Sequence, residues 1–445
     1  MERQRERTYS RRTMLKLVGV GVGLSGLLAA CGAEEEAAMM APTATTATGT
    51  ATQPATPDAT TGTPTEVTSS SSSGRDSAEA VRIGVLLPLT GVYATLGQQV
   101  QSGLELALES VGYSAGGRPI EVIIEDDANN PDQGLTKVRQ LVERDRVHVL
   151  TGIVSSGVGQ AIRDYVHEEH IPTIVANAGV QALTRDPSVR SPYIFRVSFA
   201  NGQYEHPLLP WCYEHMNYRR VTTIAPDYAA GREKMEAVRR AFEEAGGEIV
   251  EEIYPPLDTN DFGPYLQRIE QSQPDAVWAF FAGGDALRFV TQYTEFGLKD
   301  YIPLTGDGSL VDELILEQLG DLAVGILHSH NYSPQYDSPE NVAFVEAFES
   351  QYGFMPSQFS YQGYLAGKVL IEALEASQGA VEDTDTFLQA LAAVDFTGPM
   401  GRVRFHPESQ GVTNTVLILR VDRLENGELG DVILDVLSDI DDLAF

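Results

Sequence analysis

From Val81 onward, apolar residues come in short compact runs, and between the runs they recur at helical spacing. "VRIGVLLPL" is such a run, closed by proline and a following glycine, and reads as a strand; Gly97 to Val111 carries apolar residues every three or four positions and reads as a helix. "IEVIIEDD", "VHVLTG" and "IPTIVAN" are further strands, separated by a proline-opened helix over Pro131 to Glu143 and a helix over Ser156 to Glu169. The rhythm pauses near Tyr193 to Asn201 and restarts with "RRVTTIAP", "EIVEEIYP", "DAVWAFFA", "YIPLTG" and "VGILHSH" as strands. Helices are predicted between them over Arg232–Ala245, Phe262–Gln271, Asp285–Phe296 and Leu310–Leu319. Two longer helices follow, Asn341–Tyr352 and Tyr361–Ala376, and then "GRVRF" and "TNTVLILRV" as strands. Strand and helix alternating at this spacing predict parallel sheets covered on both faces. Two such α/β units predict two doubly wound lobes. Ligands bind beyond the carboxyl ends of the strands in such sheets, so a cleft between the lobes is expected.

The first 80 residues follow no such pattern. Arg3, Arg5, Arg7, Arg11, Arg12 and Lys16 lead into an apolar run, Leu17 to Ala30, that ends in small residues before Cys31. The run is 14 residues long, short of the roughly 20 that span a bilayer. A basic start, a short apolar centre and a small-residue end describe a removable export signal over residues 1–30. Leu28-Ala29-Ala30-Cys31 resembles the bacterial lipobox, in which cleavage precedes a cysteine that then carries lipid. Ser10-Arg11-Arg12-Thr13-Met14-Leu15-Lys16 resembles the twin-arginine export motif, with general secretion the alternative. Gly21 to Gly26 fits G-x-G-x-x-G, but a dinucleotide site needs a strand before it and a helix after it, which a removed signal does not supply. Residues 31–80 are dominated by Thr, Ala, Ser and Pro and cannot bury enough surface to order themselves; they read as a tether.

Charge narrows the partners. The chain has 31 Lys/Arg against 63 Asp/Glu; the signal takes six and two of these, leaving 25 against 61, a formal charge of -36. Nucleic acid and anionic lipid surfaces are poor partners for it. With Cys31 lipidated, only Cys212 remains, in the apolar "LLPWCYEHM", where a buried inert thiol is expected and no disulfide framework is possible.

Three long phrases then carry a resemblance. "VRIGVLLPLTGVYATLGQQVQSGLELALE", "EVIIEDDANNPDQGLTKVRQLV" and "VHVLTGIVSSGVGQAIRDYVHEEHIPTIVANAG" are similar to the type I solute-binding proteins of branched-chain amino acid ABC transporters, and the likeness continues to about Val421. The resemblance implies two lobes joined by a multi-strand hinge: residues 81–200 with 331–412 as the first, and 201–330 with 413–445 as the second. It also implies a monomeric, cofactor-free, non-enzymatic receptor, lipid-anchored at the outer face of the cytoplasmic membrane, that passes a small amino-acid-like, amide or carboxylate solute, aromatic ones included, to an ABC permease. The family's ligand contacts fall on Ser156, with Ser155 beside it, at the start of the helix after the third strand, where helix N–H groups suit a carboxylate and where a serine can equally be a cap. They fall next on Asn177, Ala178 and Gly179, the last standing where a threonine is expected. That exchange removes a hydroxyl and opens room, which turns the expected ligand away from leucine, isoleucine and valine. Tyr228 matches a residue that closes over the ligand, with a surface turn the alternative. Asp307 matches an acid that pairs with a ligand ammonium, with a turn former the alternative. Tyr93 is a further candidate wall.

Other signals are weaker. His328 and His330 share one face of a strand but have no ligand cluster beside them, so cleft-lining or structural roles are expected. "DTNDFG" from Asp258 lacks acids at the positions a calcium loop requires. Two rival functions remain, a sensor domain for a membrane signalling partner and an exported hydrolase.

Overall fold

The computed structural model describes residues 79–443 and 445. The proposed signal, Cys31 and most of the tether lie outside the described residues. Two sheets organise the chain. The first runs β1 (Val81–Leu87), α1 (Ala94–Glu109), β2 (Ser114–Ala115), β3 (Arg118–Asp126), α2 (Pro131–Arg139), β4 (Val149–Gly152), α3 (Ser156–Glu168), β5 (Thr173–Val175) and β6 (Ile194–Arg196). Its strand order is β2-β3-β1-β4-β5-β6, parallel except for the short β2–β3 pair. The chain then crosses to α4 (Leu208–His215), β7 (Arg220–Ile224), α5 (Ala229–Glu244), β8 (Glu248–Ile253), α6 (Gly263–Ser272), β9 (Ala276–Ala279), α7 (Gly284–Glu295), β10 (Leu304–Asp307), α8 (Glu313–Leu319) and β11 (Leu327–His330). It continues through α9 (Pro339–Tyr352), α10 (Gln358–Ala376), α11 (Thr384–Ala392) and the hairpin of β12 (Asp395–Gly398) and β13 (Gly401–Arg404), and ends in β14 (Asn414–Arg423) and β15 (Leu429–Ile440).

The second sheet has the order β15-β14-β11-β10-β9-β7-β8. Its four pairings from β8 to β11 are parallel, but β14 adds to β11 antiparallel and β15 to β14 likewise. The expectation of parallel sheets therefore holds for the wound core and not for this edge. β15 carries Asp431, Asp435 and Asp439 along its length, and acids on an edge strand discourage pairing with another chain.

α10 returns the chain to the first sheet and lies along α1. The two helices meet backbone to backbone. A Cβ on Gly103 would sit 1.8 Å from the Ser360 carbonyl oxygen, and one on Gly363 would sit 2.0 Å from that of Val100. Only glycine permits that approach. It brings the start of α10, capped by the Ser357 hydroxyl, to the edge of the space between the sheets.

Six elements escape the sequence pattern: β2, β6, α4, α11, β12 and β15. Each is short, except β15, whose acids obscure its apolar positions. α4 carries Pro210 in its first turn, where no intrahelical N–H is lost, and buries Cys212 completely. Burial pushes that thiol up to about 12, so it is unreactive.

Candidate functional site

The carboxyl ends of the parallel strands in both sheets face one cavity. β1 leads to Tyr93, β4 to Val154 and Ser156, β5 to Asn177 and Gly179, and the crossover after β6 supplies Phe199 and Asn201. From the other sheet, β7 leads to Tyr228, Ala230 and Lys234 on α5, β9 to Phe280 and Ala282, and β10 to Ser309; Phe359 comes from α10. The cavity is small, about 30 Å³ in volume. It is a narrow space walled by aromatic rings.

Three helices start at its wall. Ser156 is the first residue of α3, Tyr228 immediately precedes α5, and Ala282 lies just before α7. No side chain caps any of the three N-termini. First-turn N–H groups have no intrahelical acceptor and carry a partial positive charge, so this wall suits an anion. Tyr93 and Tyr228 meet across the cleft with their hydroxyls 3.1 Å apart. Burial, followed by their mutual proximity, holds the Tyr93 pKa well above the ordinary phenol value, and burial raises that of Tyr228. Both stay neutral and able to donate.

Of the eight sequence-predicted contacts, Tyr93, Ser156, Asn177, Gly179 and Tyr228 line the cavity. Ser155, Ala178 and Asp307 are buried and do not. Ser155 occupies the residue before α3 without a side-chain cap bond. Ala178 faces the packed side of the loop, against Gly159.

Asp307 has its partners within the protein. Its Oδ2 accepts from Lys234 Nζ at 2.7 Å and from the Tyr204 hydroxyl at 2.9 Å, and its Oδ1 accepts from the Ser309 N–H at 2.8 Å. Lys234 also pairs with buried Glu205. Burial works to raise the Asp307 carboxyl, but the adjacent ammonium outweighs it and holds the pKa below the usual range. The acid expected to meet a ligand ammonium is already occupied by a side chain of the protein itself. Sequence reasoning missed Lys234 because α5 reads as "AAGREKMEAVRRAFEE", in which a lysine on an amphipathic helix looks solvated.

Gly179 lines the cavity with two side chains close against it. A Cβ there would lie 2.4 Å from Asn201 Oδ1 and 2.9 Å from Phe199 Cε2, so the space of the missing threonine is filled by these two side chains.

His328 and His330 are buried and outside the cavity wall. His328 Nε2 bonds Asp431 at 2.9 Å, and His330 accepts from the Tyr332 N–H at 3.2 Å; burial pulls the His330 imidazole down to about 4. They hold the second sheet together behind the site. Among the described residues, no group of three or more His, Cys, Asp and Glu is placed to hold a metal ion.

This geometry is that of a two-lobed binding protein, and comparison with known proteins agrees. Residues 80–428 match the periplasmic binding protein family. Leu/Ile/Val-binding protein homolog 6 of Brucella melitensis is 30% identical over 356 residues, which span 79% of this chain and 90% of that protein. An ABC transporter substrate-binding protein from Sphaerobacter thermophilus is 52% identical, with a TM-score of 0.78 over 82% of this chain and all (100%) of its own. A solute-binding protein of an ABC transporter from Rhodopseudomonas palustris BisB5, solved with 3,4-dihydroxybenzoic acid, is 31% identical, with a TM-score of 0.77 over 82% of this chain and 98% of its own. The chain belongs to the periplasmic binding protein family, in its type I Leu/Ile/Val-binding branch. It is a solute-binding protein of an ABC transporter.

Proposed function

We propose that this protein captures an aromatic carboxylate between its lobes and delivers it to an ABC permease. The observation that carries the reading is the state of Asp307. An α-amino acid needs an acceptor for its ammonium, and the acid at that place is bonded to Lys234, Tyr204 and the Ser309 N–H. What the cavity offers instead is aromatic wall, from Tyr93, Phe199, Tyr228, Phe280 and Phe359, beside the uncapped start of α3 at Ser156. Rings give large apolar contact, and the helix start gives the carboxylate its partner. The likeness to a protein solved with 3,4-dihydroxybenzoic acid supports the same class. Calorimetric titration with benzoates and with leucine, isoleucine and valine tests it: the benzoates are expected to bind and the branched-chain amino acids to bind at least tenfold more weakly. The reverse order would overturn the reading.

The same proposal includes extracytoplasmic anchoring through lipid on Cys31 after twin-arginine export. Two or more acyl chains at about 0.8 kcal/mol per buried methylene make such an anchor stable. Cys31→Ser is expected to move the protein from the membrane to the soluble fraction. Unchanged membrane retention would count against the lipobox.

A further inference from the structure

Among the side chains that line the cavity, one fully buried acceptor has no partner. Asn201 is 1% exposed, and its Oδ1 has no hydrogen-bond partner. Its other amide atom is well occupied: Nδ2 donates to Glu233 Oε2 at 2.8 Å and to Ser156 Oγ at 3.4 Å. Glu233 Oε2 also accepts the Gln181 N–H at 3.0 Å, so it is an acceptor whatever the protonation of the other oxygen. A turned amide would set oxygen against oxygen, and the orientation with Oδ1 toward Gly179 follows. The backbone holds it there, since the Asn201 N–H donates to the Gly179 carbonyl at 2.7 Å. Gly179 leaves no Cβ to cover Oδ1.

A buried acceptor without a donor loses its hydration with nothing to replace it, and the large majority of buried polar groups have a partner. Building on the aromatic carboxylate reading, we propose that Asn201 Oδ1 reads a hydroxyl on the ligand ring, so that the solute is a hydroxylated benzoate rather than benzoate itself. The ring hydroxyl donates to Oδ1, while the Ser156 hydroxyl and the α3 N–H groups remain for the carboxylate. A site built to bond a hydroxyl discriminates against the analogue that lacks it because its own polar group is then left unpaired.

The test is calorimetric titration of the purified full-length protein with benzoate, the 2-, 3- and 4-hydroxybenzoates and the matching fluorobenzoates. Fluorine has nearly the size of a hydroxyl and no proton to donate. At least one hydroxybenzoate is expected to bind about tenfold or more tighter than its fluoro counterpart, as one recovered bond of roughly 1.4 kcal/mol implies. In Asn201→Ala that ratio is expected to fall below about threefold. If the ratio in wild type is already near one while benzoates bind, this inference fails and the aromatic carboxylate reading stands. A preference that survives Asn201→Ala also overturns it, and binding of no benzoate at all overturns both. Should the variant not fold, a crystal structure of the wild-type complex decides: a ring hydroxyl within hydrogen-bond distance of Asn201 Oδ1 supports the assignment, and one bonded elsewhere sinks it.

Discussion

Replacing Lys234 by methionine is expected to destabilise the ligand-free fold by about 3–5 kcal/mol, the usual cost of leaving a buried charge without its partner. Methionine nearly matches the aliphatic length of lysine, so the loss is electrostatic rather than a cavity. Lys234 is 2% exposed, and Glu205 and Asp307 are fully buried. Without the ammonium, two carboxylates remain in a dry space, and one must take a proton or the region must open. The lysine also sits 4.6 Å from the ring centroids of Phe199, Tyr204 and Phe280, contacts that favour a cation. Urea unfolding measures the cost. The double variant Lys234→Met/Asp307→Asn is expected to recover part of it, because one of the two orphaned charges is gone. A loss below about 1 kcal/mol in the single variant would show that the two carboxylates do not depend on Lys234, and the argument against an ammonium ligand would fall with it.

Under the proposed reading, that network is what turns the site from amino acids to another solute. Asp307 stands at the end of β10, where the resemblance implies an acid, and Lys234 from α5 meets it. The hydroxyl expected after β5 is absent at Gly179, and Asn201 and Phe199 arrive from the crossover to fill its place. In both places a contact within the protein stands where the resemblance implies a contact to ligand. The remaining wall is then aromatic.

The sequence made the wound core legible because buried parallel strands are compact apolar runs and their covering helices are amphipathic. The expectation of a cleft beyond the strand ends came from the same pattern, but Ser156, Asn177, Gly179 and Tyr228 were named through the family resemblance, and Tyr93 as a candidate wall in the first loop. Lys234, Asn201 and Phe359 were not legible. Lys234 lies a turn and a half into α5, Asn201 lies in the irregular crossover after β6, and Phe359 lies at the start of a helix that returns from far along the chain. Their burial depends on how the lobes meet, which no local period encodes. β14 was announced by its apolar run, but β15 was hidden for a different reason: acids placed against edge pairing interrupt the apolar alternation that would announce a strand.

The α3 start offers the sharpest test of where the carboxylate sits. Ser156→Asp is expected to weaken binding of a benzoate by about three orders of magnitude. Two like charges about 4 Å apart at an effective dielectric of about 20 repel by roughly 4 kcal/mol, and each 1.4 kcal/mol is about tenfold in affinity. The fold is expected to bear part of the cost, because Ser156 is buried and Glu233 shares the Asn201 amide with it, while the helix start offsets about 0.3–1 kcal/mol of it and no acid occupies that turn of α3 now. Charge can be separated from shape by titrating the corresponding benzamide, which has the same ring and no negative charge. The variant is expected to lose far more affinity for the benzoate than for the amide, a difference that a lowered thermal midpoint, acting on both ligands alike, does not produce. Equal losses for the two ligands would mean that the aspartate merely fills space, and that the carboxylate is held at the start of α5 or α7 instead of at Ser156.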